Sequence, residues 1–163
     1  MTAVAVRVGS RADVDDALSV YERANLVRRR GVWPSRAARL EQVRTNLLAD
    51  DAWFLVAVDG GETVGMASVL PHRADRGAGA VVLGAGYLDL IYVLQERWGR
   101  GIGGALLDAV IDESAQRGWH RIHLSTHEHD NVRAHRLYSS RGFRRSGVTY
   151  EDELGSPVAE WIR

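Results

Sequence analysis

"YVLQERWGRGIGGALL" (Tyr92–Leu107) decides how the chain is read. A β-branched, apolar run leads into it, glycines at 99, 101, 103 and 104 crowd its middle, and apolar residues at helical spacing leave it. Glycine in a helix costs roughly 1 kcal/mol relative to alanine, so its concentration where a helix begins needs a reason. A strand, a glycine-rich turn and a helix N-terminus together make an anion site. The first turn of a helix has unpaired N–H groups and the positive end of the macrodipole. Glycines remove the Cβ atoms that would hold a diphosphate away from those amides. Arg97 and Arg100 add charge and can grip phosphate as a fork. The competing reading is a tight helix entry with no ligand.

Two common phosphate loops fit badly. A triphosphatase loop needs G-x-x-x-x-G-K-[ST], and all 21 cationic side chains of this sequence are arginine. The dinucleotide fingerprint G-x-G-x-x-G fits "GRGIGG" only with its last glycine one place early. It also expects an acid at the end of the next strand, where Ser125 and Thr126 stand.

Outward from this stretch, the pattern alternates strand and helix. "AVAVRV" reads as a first strand, and Ser10 with Asp13 makes a weak capping box. The helix that follows buries Val14, Ala17, Leu18 and Tyr21. Pro34 and Ser35 open a second helix carrying Leu40, Val43, Leu47 and Leu48. "WFLVAV" and "TVGMASVL" flank the hairpin signal "DGGE", and Pro71 to Ala80 reads as a mobile loop. "GYLDLIYVL" (Gly86–Leu94) is a strand. The helix after the glycines is expected from about Gly101 to Arg117, with Ile102, Ala105, Leu106, Ala109 and Val110 on its buried face. A strand at "HRIHLST", a short helix from Asn131 to Ser140, a turn at Gly142 and further strands to Ile162 complete a mixed α/β sheet.

A chain of 163 residues, 45% of them apolar, suits one domain over residues 1–163. Zero net charge gives no global attraction to nucleic acid or to an anionic membrane. No apolar run approaches the roughly 20 residues of a membrane span, and the first residues lack the apolar centre of a signal peptide. The absence of cysteine excludes disulfides and thiolate metal sites and fits a cytoplasmic protein. The arginine run Arg28 to Arg30 suits the C-terminus of the first helix better than a nucleic-acid patch.

The glycine-rich stretch resembles the acyl-CoA signature of the GNAT superfamily of N-acetyltransferases, [QR]-x-x-G-x-[GA] after a strand ending in a Tyr-Val-like pair. Gly101 and Gly103 fill the glycine positions, while Trp98 stands at the Gln/Arg position and Arg97 one place before it. "NVRAHRLYSSRGF" (Asn131–Phe143) resembles the family's N-x-x-A-x-x-L-Y-x-x-x-G-F segment at every specified position. The resemblance implies an α+β GNAT fold, a mixed and mostly antiparallel central sheet splayed at its middle and flanked by helices. It implies acetyl-CoA as cosubstrate, a primary amine acceptor, direct attack in a ternary complex and no metal. Dimerisation through the last strands is common in the family. A catalytically idle acyl-CoA-binding module on the same fold is the alternative.

By that resemblance CoA is held by the stretch Arg97, Trp98, Gly99, Arg100, Gly101, Ile102, Gly103 and Gly104, and by the backbone of Ile91 and Val93. Asn131 corresponds to a residue that hydrogen-bonds the pantetheine arm, although Asn here also suits a helix cap. Tyr138 corresponds to the acid that protonates the departing thiolate, with a packed aromatic as its other reading. Asp89, on the strand face of Tyr87, Ile91 and Val93, is a base candidate; His127, Glu128 or a water chain are others. Trp33, Asp89, Ser125, His127 and the Pro71–Ala80 loop are the expected acceptor wall. His127 and His129 form an i, i+2 pair with no third ligand that spacing can supply, so no metal is expected there.

Overall fold

A computed structural model describes residues 3–28, 37–129 and 131–163. Seven strands, β1 (Ala5–Val8), β2 (Trp53–Asp59), β3 (Glu62–Arg73), β4 (Val81–Val93), β5 (Arg121–His127), β6 (Arg144–Glu151) and β7 (Pro157–Ile162), form one sheet in the order β1-β2-β3-β4-β5-β7-β6. Four helices flank it: α1 (Val14–Arg28), α2 (Ala37–Leu48), α3 (Ile102–Gln116) and α4 (Val132–Ser140). The sheet is mostly antiparallel, as expected, with β4 and β5 parallel. Their ladder runs from Ala85↔Arg121 to Leu88↔Leu124 and stops there, although both strands continue. Among the described residues, no helix is long and apolar enough to cross a membrane.

The chain forms two compact units. The first contains residues to Leu70 together with Leu90–Val110. Its strand β2 is apolar and buried on both faces over Trp53–Ala57, a central-strand pattern. Each fully buried Leu or Val there contributes about 1.5–3 kcal/mol. Helix α1 buries Val14, Ala17, Leu18 and Tyr21 as its spacing predicts. The capping box ahead of it forms with aspartate in place of the longer acids: the Ser10 N–H donates to Asp13 Oδ2 at 2.8 Å. The "DGGE" hairpin closes through Gly60 and Gly61, both at positive φ, as a two-residue turn between right-twisted strands requires.

The second unit contains Pro71–Asp89 and Ile111–Arg163. Its core carries Ile122, Leu124, Tyr138, Phe143 and Trp161.

Three details differ from the sequence reading. The segment Pro71–Ala80 is not all loop. Strand β3 continues to Arg73, and the remainder is a tight turn closed by the Ala74 N–H donating to the Ala80 carbonyl at 2.9 Å. Pro71 is tolerated because the β2 ladder ends at Trp53↔Val69, so no β2 carbonyl needs the N–H it lacks. Strand β4 begins at Val81, five residues before Gly86, with Leu83 almost fully exposed. On α3 the buried stripe is Ile102, Leu106, Leu107 and Val110, whereas Ala105 faces solvent. Trp33, Pro34 and Ser35 lie outside the described residues.

Candidate active site

The glycine-rich turn belongs to the first unit. Strand β4 ends at Val93, and buried Leu94 donates its N–H to the Val64 carbonyl at 2.9 Å. One tight turn over Gln95–Arg97 follows, then extended Trp98. Gly99 and Gly101 both take φ of 78°. Among the described residues nothing lies within 4 Å of where a Cβ would stand on either, so the left-handed backbone is what demands glycine. Between them Arg100 projects outward, its side chain 56% exposed. Helix α3 then starts at Ile102, and the Ala105 N–H is bonded to the Gly101 carbonyl at 3.0 Å. The N–H groups of Ile102, Gly103 and Gly104 precede any intrahelical acceptor, at the positive end of the helix. The donor set fits a diphosphate.

The two arginines of this turn differ in their surroundings. Arg97 is engaged by carboxylates of the β2–β3 hairpin, donating from Nη1 to Asp59 Oδ2 at 2.6 Å and from Nη2 to Glu62 Oε2 at 2.9 Å. Arg100 Nη1 stands 3.6 Å from the same Asp59 oxygen and keeps most of its surface. Trp98, the departure from the family pattern, donates from Nε1 to the Val93 carbonyl at 2.9 Å. A neighbouring ion pair, Arg23–Glu96 at 2.6 Å, ties the turn to α1. Ile91 and Val93 are half-buried.

In the second unit, register sorts the remaining residues by sheet face. Tyr87 pairs with His123, and Ser125 with Glu160. Alternation then puts Tyr87, Asp89, His123, Ser125 and Glu160 on one face. Burial pushes the Tyr87 phenol up to about 12, against a hydrogen bond with Ser125 that lowers it. Tyr87 is therefore a neutral phenol near pH 7. Nearby Tyr150, Asp89 and Glu160 raise it further.

The other face belongs to α4. Trp161 pairs with Leu124, and the buried Tyr138 ring lies 6.2 Å from Trp161 and 5.9 Å from Phe143 between ring centres. Tyr138 is thus anchored between two aromatic rings, and it approaches the sheet from the face opposite Asp89. Asn131 makes no side-chain cap on α4. Its Nδ2 donates to Thr126 Oγ1 at 2.6 Å, while its carbonyl accepts the His135 N–H. His127 is bound at Nε2 to Asp152 Oδ2 at 2.8 Å, and that bond holds the Asp152 carboxyl below its ordinary value. Glu128 pairs with Arg145. That Asp152 stands against His127 and Glu160 beside Ser125 was not legible in the sequence, because strand pairing and turns bring them in from distant positions.

The sequence model of the acetyltransferase (GNAT) family matches residues 15–143, spanning both the turn and the α4 segment. No curated protein sequence matches significantly. Among solved structures, a GCN5-related N-acetyltransferase from Kribbella flavida is similar at 26% identity, with a TM-score of 0.75, over 99% of this chain and 97% of that one. The ribosomal-protein-S18-alanine N-acetyltransferase from Escherichia coli is similar at 21% identity, with a TM-score of 0.76, over 98% and 92%. The PaiA N-acetyltransferase from Thermoplasma acidophilum, in complex with coenzyme A, is similar at 15% identity, with a TM-score of 0.68, over 97% and 98%. The lower two identities speak to fold alone; the profile match speaks to lineage. The chain belongs to the acetyltransferase (GNAT) family, whose members bind acetyl-CoA.

Proposed function

We propose that the protein moves an acetyl group from acetyl-CoA to a primary amine, on a small molecule or a protein N-terminus, by direct attack in a ternary complex. One observation carries the reading: left-handed Gly99 and Gly101 deliver the chain into the first turn of α3, and among the described residues nothing lies within 4 Å of where a Cβ would stand on either. Those amides and Arg100 would hold the diphosphate, and the backbone of Ile91 and Val93 would hold the pantetheine arm. Asn131 would add a polar contact to that arm. Trp98 would fix the path of the loop, and Arg97 would fix its base.

The transfer needs a neutral amine, a polarised carbonyl, alignment and a proton for the departing thiolate. Tyr138 is assigned that proton. Asp89 is assigned to the amine; it follows the last β4–β5 pair, Leu88↔Leu124, so that groups on the two sheet faces would meet where the ladder stops. Ser125 and His127 border the acceptor, His127 with its ring fixed by Asp152.

The test is thiol release from acetyl-CoA against an amine panel of polyamines, amino acids, aminoglycosides and peptides, with products identified by mass. A peptide with N-terminal alanine is a natural arm, since similar structures include ribosomal-protein-alanine N-acetyltransferases. CoA binding without transfer across the whole panel would favour the idle binding module.

A further inference from the structure

His72, His123 and Glu160 come from β3, β5 and β7, and each offers a ligand atom within 4.8 Å of the others. His123 is only 8% exposed, and among the described residues its buried Nδ1 has no partner at good hydrogen-bond geometry. A buried imidazole nitrogen left unpaired is costly. The nearest acid atom, Glu160 Oε2, stands 3.5 Å away. That is beyond the usual 2.7–3.2 Å of an N–H···O bond. It is close to the edge of a tetrahedron, about 3.4 Å, around an ion bound at roughly 2.0–2.1 Å. We propose that His72, His123 and Glu160 form a binding site for a divalent transition ion of the zinc class.

The donor set, two imidazoles and one carboxylate with a fourth position left to water, is one that zinc and cobalt accept. Burial holds both imidazoles below their ordinary pKa and so favours neutral rings with a lone pair to give. The His72 and His123 rings are stacked, 3.6 Å between centres and 2° between planes. An ion lies in the plane of each imidazole that binds it, so the stack must open on binding. His72 can turn, being half-buried near the end of β3, while His123 stays fixed in the sheet. Sequence spacing hides the site, since the three ligands are far apart in the chain. It is separate from the His127–His129 pair, whose first member is bound to Asp152.

Co²⁺ titration of chelator-treated protein, without acetyl-CoA, tests the site. The expected result is one ion per chain, with tetrahedral Co²⁺ absorption that Zn²⁺ displaces. Glu160→Gln and His72→Gln should each weaken binding at least tenfold, and both positions are less buried than His123, so folding is checked easily by melting temperature. His127→Gln with His129→Gln should leave it unchanged. Absence of stoichiometric binding, or binding insensitive to Glu160→Gln and His72→Gln, overturns the site. Because the readout involves no acetyl transfer, its failure leaves the proposed activity standing, and failure of the activity leaves the metal result interpretable.

Discussion

Trp98 is tied to the strand it has just left, its indole Nε1 donating to the Val93 carbonyl at 2.9 Å. The bond spans the bend between β4 and the glycines, so it fixes where Gly99 begins. The indole at the family's Gln/Arg position is thus engaged with its own strand. Trp98→Phe keeps the ring and removes the donor. One hydrogen bond is worth about 0.5–1.5 kcal/mol, so CoA affinity should fall roughly two- to tenfold, with the fold intact. Isothermal titration with CoA reads this; unchanged affinity would remove the latch from the account.

Arg97 and Arg100 should part company under mutation. Arg97 is only 24% exposed and holds two carboxylates, one of them the mostly buried Asp59. Arg97→Ala should therefore lower stability, by about 1–2 kcal/mol, as urea unfolding would record. Arg100→Ala should leave unfolding nearly unchanged and weaken CoA, with a reduced salt dependence of binding. The opposite allocation would mean that Arg97 abandons its acids for the ligand.

At the entry to α1, Arg7 donates to both carboxylate oxygens of Asp13 at 2.8 Å, and Asp13 in turn caps the Ser10 N–H. The Arg7 hydrogen bonds, with the Ser10 amide, hold the Asp13 carboxyl well below its ordinary range. Its contribution is thus complete above roughly pH 4, the value for an unfolded aspartate. It is lost as pH falls below that toward the folded-state value. Asp13→Ala should cost about 1–2 kcal/mol near neutrality. The gap from wild type should narrow in acid, as melting temperature against pH would show.

Tyr138→Phe keeps the ring among Trp161 and Phe143 and removes only the hydroxyl. If the phenol protonates the thiolate, kcat should drop about a hundredfold or more, from the lower end of the range for a general acid upward. CoA affinity and melting temperature should hold. An unchanged kcat would leave Tyr138 as packing alone.

Much of this was legible in the sequence where local chemistry dictates conformation. "DGGE" had to turn because Gly60 and Gly61 supply the positive φ of a hairpin, and the α1 stripe followed from spacing alone. The glycine-rich stretch was read correctly as strand, turn and helix, although the conformational demand lies at Gly99 and Gly101. What escaped depends on neighbours remote in sequence. Pro71 looked like a breaker until the end of the β2 ladder made its missing N–H harmless. Arg97 reads as a phosphate ligand from its place beside the glycines, and spacing could not show that Asp59 and Glu62 of the hairpin also engage it. Asn131 looked like a cap, yet its side chain reaches back to Thr126 on β5. Ala105 fits a helical repeat, and only the packing of α3 shows it exposed.

Acetyl transfer to an amine is measured most directly by following both products of one reaction. Purified protein, acetyl-CoA and the amine panel are incubated, free CoA thiol is titrated, and the acceptor is weighed by mass spectrometry. For at least one primary amine, thiol release should be matched one-for-one by acetylated product, and both should be lost in Gly101→Asp, which puts a side chain and a negative charge at the entrance to α3. Thiol release with no acetylated amine, or equal transfer by Gly101→Asp, would contradict this expectation.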